Sequence, residues 1–369
     1  MAIPSWAKYA VATNALIQFG SGTEIFGPVH SNNGVSLFGL AHNVITSAMT
    51  TYDDPNHADT NQEHAVHTHI NPPPVAPPPP NAPSNTAFRP LEAPPNPLAS
   101  RMDVFEAGRQ VSTPAIDFAG LTTDMASIKT QAQANGFYRA ASGANGYRVL
   151  LRTDDTFDLY RVNTLQPPPG ACTNSQGQVG WATWSISTAG GAQTLLGNYP
   201  MPANGLIFLE DRRVWVEGQI NTARVTIAVS IFSADPATQS QITVNNNLLY
   251  TNYDGQDTVS ENNINVGLFS ANVIRIDAAL VAQQGRVGRY YYAVTGGTNC
   301  GATALRSTAT LFGMMATMQR YGLYVGGCCG NSGYPTRSLV YDANLLYAPP
   351  PSFPLTSDQY SILSWQEIK

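Results

Sequence analysis

Lysine is nearly missing from this chain. Only Lys8, Lys129 and Lys369 carry it, among 19 basic residues in 369, against 24 acidic residues and a net charge of −5. That balance argues against a broadly basic surface of the kind that coats nucleic acid. Charged residues of either sign reach only 12%, about half the usual globular share. The surface is therefore polar through Asn, Thr, Ser, Gln and Gly, which suits exported β-rich proteins better than cytoplasmic enzymes. Long apolar runs are missing too, and nothing approaches the roughly 20 residues of a membrane span. Residues 10–19 are apolar but short, and they lack the basic flank of a signal peptide. The chain opens inside a pattern resembling the end of a longer helix, so an upstream segment is expected to have been removed. Catalytic fingerprints are also lacking: there is no G-x-S-x-G, Walker loop or dinucleotide motif. The four cysteines, Cys172, Cys300, Cys328 and Cys329, include no CxxC pair, which argues against a zinc ribbon or thioredoxin-like site. In an exported chain Cys300 would pair with Cys328 or Cys329 and Cys172 with the other; free buried thiols are the alternative.

What the chain does have is a succession of short β-branched segments over residues 205–294, broken by Asn, Gly and Asp. Phe208-Leu209-Glu210, Val214-Trp215-Val216-Glu217-Gly218, Val225-Thr226-Ile227-Ala228-Val229, Ile242-Thr243-Val244 and Val273-Ile274-Arg275-Ile276 follow one another with little helical signal between them. Each is too short to bury a face alone, and stacking in register solves that. The expected fold is mainly β: a parallel β-solenoid (β-helix) with one inserted α-helix and a Pro-rich loop.

The rest divides by composition. Residues 1–50 read as an opening segment, a short helix or helix-to-strand transition, followed by first strands at 27–30, 35–38 and 44–46, with an Asn32-Asn33-Gly34 turn. Residues 51–100 are a Pro-rich loop or linker, with Pro72-Pro73-Pro74 and Pro77 to Pro80 enforcing polyproline II geometry. This excursion is expected to be exposed and to lie outside the core. Residues 101–170 hold a helix plus a β-hairpin. The helical stretch is placed at 102–136, with Leu121, Met125, Ile128 and Ala132 at helical spacing and Gly136 as the stop. The hairpin turns at Asp154-Asp155-Thr156. Residues 188–197 read as a loop. Residues 171–369 carry the solenoid and a closing segment, with a last edge strand at 360–365.

A family resemblance emerges from ordered motifs. Gly27-Pro28-Val29-His30-Ser31-Asn32 is followed by Val44-Ile45-Thr46-Ser47. Ala115-Ile116-Asp117-Phe118 leads into a helix ending Ala132-Gln133-Ala134-Asn135-Gly136. Val214-Trp215-Val216-Glu217-Gly218 precedes Val225-Thr226-Ile227-Ala228, and Asn247-Leu248-Leu249-Tyr250 precedes Val266-Gly267-Leu268. Asp277-Ala278-Ala279-Leu280-Val281-Ala282-Gln283 is followed by Leu311-Phe312-Gly313. Tyr341-Asp342, Pro349-Pro350-Pro351-Ser352-Phe353-Pro354 and Trp365 close the series. In this order they resemble large type IV pilus-associated, minor-pilin-like proteins with a solenoid ectodomain, some similar to competence pilins. The resemblance covers most of the chain outside residues 51–100. It implies a bacterial, extracellular structural or adhesive component of a type IV pilus or related filament, with other pilin subunits as partners and no catalytic residues. Membrane contact would run only through an N-terminal pilin helix that this chain lacks. A pilus-tip DNA receptor in natural competence is the alternative. A β-helix carbohydrate-active enzyme and a phage tail-fibre module stand further off.

Several residues are candidate sites. His64, His67 and His69, with His57 upstream, have spacing able to bind zinc, copper or nickel. A floppy loop supplies no fixed geometry, so solvated loop histidines are expected. His30 reads as a hydrogen-bonded corner residue. Asp154, Asp155 and Asp158 share one turn, where Asp is favoured for turn geometry alone. Tyr253-Asp254-Gly255-Gln256-Asp257 offers oxygens for calcium but lacks EF-hand spacing. No cofactor is otherwise expected. Asn245-Asn246-Asn247 and Asn262-Asn263 are expected to ladder their amides between rungs. Arg212, Arg213, Arg286 and Arg289 beside Tyr290-Tyr291-Tyr292 are candidates for a basic aromatic patch able to meet DNA; salt bridges and core packing are the alternative. A surface polysaccharide is a further candidate partner.

Overall fold

A computed structural model describes residues 6–57, 59–72, 88–118, 121–170, 172, 183–235, 238–251, 256–260, 263–292, 300–326 and 330–353. The fold is a parallel β-solenoid, as the short alternating segments require. Its main sheet links 21 strands among the described residues, many of them two or three residues long. One side of the coil can be followed strand by strand. Phe137–Arg139 pairs in parallel with Leu206–Leu209, that strand with Val225–Val229, and that one with Gln256–Ser260. The C-terminal halves of Val273–Ala282 and Thr308–Thr317 come next.

The following rung is not the next piece of chain. Val11–Thr13 lies on Met315–Thr317, and Val29–Ser31, Ile45–Ser47 and Arg109–Gln110 continue the stack. A second side shows the same seam, with Glu24–Phe26 pairing against Ser338–Val340 of the strand Thr336–Tyr341. The N-terminal coils therefore sit on top of the C-terminal ones. The chain winds three coils, crosses through residues 116–118 and the helix α1 (Leu121–Asn135), starts again at the far end and returns to its own beginning.

The core follows from this winding. Val225, Ile227 and Val229 point into the coil with Ile207, Leu209, Val11, Val29 and Ile45. The alternate positions Leu206, Phe208, Ala228, Ala279, Val281, Met314, Ala316 and Ala12 point outward, yet they are buried too. They lie under Trp6, Ile116, Phe118, the α1 residues Met125, Ile128 and Ala132, and Leu345 and Phe353. One sheet face is thus covered on both sides, which is why its strands read as continuous apolar runs. Among the described residues no helix is long and apolar enough to cross a membrane.

The helix begins later than expected from 102. Gly108 takes φ +87°, and Arg109–Gln110 pairs with Ile45 and Thr46 instead. The hairpin forms as expected, Tyr147–Leu151 against Thr156–Val162. A third strand, Gln193–Pro200, pairs with it where a loop was expected at 188–197; the hairpin's open edge supplies the donors and acceptors it needs. The edge strand expected at 360–365 falls outside the described residues.

Corners are made by specific residues. Thr308–Thr317 serves two sides of the coil and bends at Gly313, where φ is +140° and a Cβ would stand 2.2 Å from the Ala278 carbonyl oxygen. Gly313→Ala is expected to destabilise the fold by about 2–4 kcal/mol through strain and steric overlap. Gly170→Ala, with nothing within 4 Å of the added atom, should stay within about 0.5 kcal/mol; denaturant midpoints compare the two.

A surface clamp spans three successive coils. His42 Nδ1 meets Glu106 Oε2 at 2.6 Å and Nε2 meets Glu24 Oε1 at 2.9 Å. The hydrogen bonds to Glu24 and Glu106 raise the imidazole above its ordinary pKa. A raised folded-state pKa contributes stability that is full below about 6.5 and disappears as pH rises through the folded value. His42→Gln should therefore lower Tm at pH 6 and have little effect at pH 9, with NMR showing His42 titrating above 6.5.

Candidate metal centre

The excursion after Ser47 is folded. Thr51–Tyr52 and Glu63–His64 form a small antiparallel pair. Val66–Thr68 adds to Val35–Leu37 as a further parallel rung. The returning chain is clamped by buried arginine. Arg109 donates to the Val66 carbonyl at 2.8 Å, to the Ala99 carbonyl at 3.0 Å and to Glu92. Arg101 reaches Glu92 at 3.1 Å and the Ile70 carbonyl at 2.9 Å. This corrects the expectation of an exposed excursion with solvated histidines. The arginine–carboxylate network and the rung on Val35–Leu37 supply the geometry that a polyproline segment alone does not. Residues 73–87, which hold most of the prolines, lie outside the described residues.

Inside this fold five side chains converge. Asp54, Glu63, His67 and His69 are 0% exposed and His57 is 8% exposed. One ligand atom from each lies within 4.8 Å of all the others. The Nε2 atom of His69 is 3.1 Å from that of His57 and 3.0 Å from that of His67. The Oε2 atom of Glu63 is 2.9 Å from His67 Nε2, and Asp54 Oδ2 is 3.4 Å from His67 Nε2 and 3.7 Å from His69 Nε2.

The second oxygen of each carboxylate is engaged elsewhere. Asp54 Oδ1 accepts from the Asn56 backbone N–H at 3.0 Å and from its side chain at 2.5 Å. Glu63 Oε1 accepts from the Arg89 N–H at 3.1 Å. Rings form the walls: Phe38 stacks on His69 with centroids 4.9 Å apart, and Tyr52 lies 5.4 Å from His67.

Electrostatics follows from the crowding. Burial pushes the His67 imidazole down, but Asp54 and Glu63 outweigh it and hold the group above its ordinary pKa. Burial favours a neutral Asp54, yet His67 and His69 beside it keep its carboxyl well below the usual range. Burial lowers His69. The Tyr52 phenol is driven well above its ordinary value by burial and by the Asp54 and Glu63 charges.

His64 is not part of the group; its Nε2 meets the Asn96 carbonyl oxygen at 3.0 Å. His67 and His69 are, and His57 joins them. Histidine spacing does not mark Asp54 and Glu63. The available signal was that both lie in the same short stretch as four of the six histidines.

The basic aromatic patch does not assemble. Arg289 is 2% exposed and donates to four carbonyls: Ala304 at 2.7 Å, Thr303 at 3.0 Å, Leu268 at 3.2 Å and Gly267 at 3.3 Å. Burial pulls its pKa down to about 10. Arg286 is half-buried, with its guanidinium 4.5 Å from the Tyr290 ring centroid. Tyr290, Tyr291 and Tyr292 are buried. Arg213 is half-buried beside Trp184, and Arg212 is exposed. The reason is local: irregular corners leave carbonyls unpaired, and a buried guanidinium with five donors satisfies them.

Cys172 is bonded to Cys300, 128 residues away, correcting the expected pairing of Cys300 with the 328–329 pair. Cys328 and Cys329 lie outside the described residues, as does Asp254 of the calcium candidate.

Asp155 accepts from the Asn221 and Thr222 backbone N–H groups at 2.8 and 3.2 Å, tying the hairpin turn to the segment after Arg213–Ile220, and Asp158 pairs with Arg152 within the hairpin. His30 is a corner histidine, 2.9 Å from Thr46 Oγ1 and 3.1 Å from Asn32 Oδ1. The described asparagines bond other groups rather than one another: Asn246 donates to Glu217, Asn247 accepts from the Arg275 N–H at 2.9 Å, and Asn262 lies outside the described residues. Asn245 donates to the Trp184 carbonyl at 2.6 Å and accepts from the Gly267 N–H at 2.7 Å. Asn263 accepts from the Arg286 N–H at 2.9 Å.

No family model and no curated protein matches this chain. Among solved structures it is similar to the competence-associated pilin ComZ from Thermus thermophilus. That match has 10% identity, covers 95% of this chain and 72% of that one, and has a TM-score of 0.33, too slight a likeness to support an argument about function.

Arg289→Met should cost about 3 kcal/mol, because four carbonyls lose their donor. Arg212→Ala should stay within about 0.5 kcal/mol. Urea midpoints would show the contrast, which a surface ligand-binding role for Arg289 does not produce.

Proposed function

We propose that this chain is a non-enzymatic extracellular scaffold, a component of a type IV pilus or related filament that presents a stiff ectodomain to other subunits or to surfaces. The observation that carries this reading is the coil stack joined through its seam. Parallel rungs at a spacing of about 4.8 Å run through Val11–Thr13 on Met315–Thr317, so both ends of the described chain are tied into one body. Such a body transmits force and displays side chains at fixed intervals, which are requirements of a filament component.

The ordered motifs that resemble pilus-associated proteins, the composition poor in charge and the Cys172–Cys300 bond support a place outside the cytoplasm, where disulfides persist. The burial of Arg289 and Tyr290, with Arg286 half-buried, favours this reading over the DNA-receptor alternative.

The test is localisation in the source bacterium. An epitope-tagged chain should appear in sheared filament fractions together with pilin subunits, and should leave those fractions when filament assembly is disabled. Retention in the cell body in both strains would overturn the reading.

A further inference from the structure

We propose that Asp54, His57, Glu63, His67 and His69 together bind one divalent first-row transition-metal ion, which fastens the side excursion to the coil stack. The inference does not depend on the filament reading and stands or falls separately from it.

Three observations carry it. The first is convergence. Neighbouring donor atoms each about 2.1 Å from one ion lie about 3–3.4 Å apart; five of the contacts among the cluster's donor atoms run from 2.9 to 3.7 Å, and all five donors lie within 4.8 Å of one another.

The second is orientation without hydrogen bonding. Asp54 Oδ2 and Glu63 Oε2 are buried and have no hydrogen-bond partner, while the other oxygen of each is held by a backbone N–H. Nitrogens stand beside the two inward oxygens in poor hydrogen-bond geometry. That arrangement turns one donor atom of each side chain toward a common point.

The third is charge. With neutral imidazoles the cluster carries two buried negative charges and no buried counter-ion within it, a state strongly disfavoured away from water. Protonating one histidine removes half of that charge. A divalent cation removes all of it and uses the lone pairs that protonation would block.

Three imidazoles and two carboxylates match manganese, iron, cobalt, nickel, copper or zinc, and not calcium or magnesium, which take oxygen sets. The outer support is uneven. Backbone N–H groups hold the carboxylates, whereas the Nδ1 atoms of His57, His67 and His69 have no hydrogen-bond partner, that of His57 lying 3.5 Å from Glu63 Oε2, and the His67 and His69 rings are positioned by packing against Tyr52 and Phe38. Affinity below that of a fully buttressed site follows.

All five ligands come from residues 54–69, so the ion closes one local loop over the rung Val66–Thr68. Its removal is expected to loosen this segment and leave the coil stack folded.

The experiment uses the full chain purified through a tag without histidine. Elemental analysis should find about one transition-metal ion per chain. After chelation, Zn²⁺, Mn²⁺, Fe²⁺, Ni²⁺ and Ca²⁺ are added back singly. At least one transition ion should bind stoichiometrically by calorimetry and raise Tm, and Ca²⁺ should do neither. Hydrogen exchange should slow on loading at residues 51–57 and 63–71, and little elsewhere. Glu63→Gln/His67→Gln should bind more than about 100-fold more weakly while keeping the far-ultraviolet spectrum of the fold. Should that variant fail to fold, Co²⁺ added to the wild-type protein still reports through its visible bands, which distinguish nitrogen–oxygen ligation from hydrated cobalt. The proposal is overturned if the purified chain holds no stoichiometric metal and no added transition ion changes its Tm, exchange or cobalt spectrum. The five residues would then be a proton-held network.

Discussion

Everything in this structure depends on backbone pairing between rungs. A strand of three residues forms too few hydrogen bonds and buries too little surface to persist alone. Val11–Thr13, Val29–Ser31 and Ile45–Ser47 hold their shape because each is sandwiched between two others. The ladder stays continuous only because the last long strand, Thr308–Thr317, accepts the first coil of the chain as its next neighbour. The contacts that close the fold therefore join residues about 300 apart in sequence, and the two parts of the coil stack complete one another.

The same constraint governs polar groups. Parallel rungs consume backbone donors and acceptors along the strands but leave them open at the corners, where insertions of different length leave the coil. Those openings are filled from inside by side chains: Arg289 among four carbonyls, Asn245 between Trp184 and Gly267, and Asn32 bonded to Ile116 through both its carbonyl oxygen and its amide. Arg289, which looks like part of a ligand-binding patch in linear order, is drawn inward by this demand. The excursion 51–111 obeys the same rule with a different outcome. Arg101 and Arg109 satisfy its carbonyls and Glu92, which leaves the carboxylates of Asp54 and Glu63 free to face three imidazoles.

Much of the architecture was legible because alternation of apolar residues has a direct physical meaning. Val225, Ile227 and Val229 can only be inward positions of a strand, and Leu121, Met125, Ile128 and Ala132 only one face of a helix. The hairpin at Asp154–Thr156 was readable for a similar reason, since Asp154 accepts from the Thr156 N–H and hydroxyl in the turn it makes. The histidine spacing at 57–69 was visible as possible ligation, but its burial was not. Proline-rich surroundings indicate local stiffness and say nothing of whether the chain beyond them folds back. His64 and His67 are equivalent in linear spacing, yet one meets a backbone carbonyl and the other faces two carboxylates.

The amino-acid order by itself determined the coil: short apolar segments, corner residues and one amphipathic helix admit few other ways to bury their surface. The composition likewise determined that the exterior is polar and carries few charges, with a net charge of −5. Three things were decided only in three dimensions: the seam between the first and last coils, the union of Cys172 with Cys300, and the meeting of Asp54 with His69. Each is a choice among partners of equal chemical suitability. Local propensity cannot rank such partners, and the ranking comes from the register in which distant rungs stack.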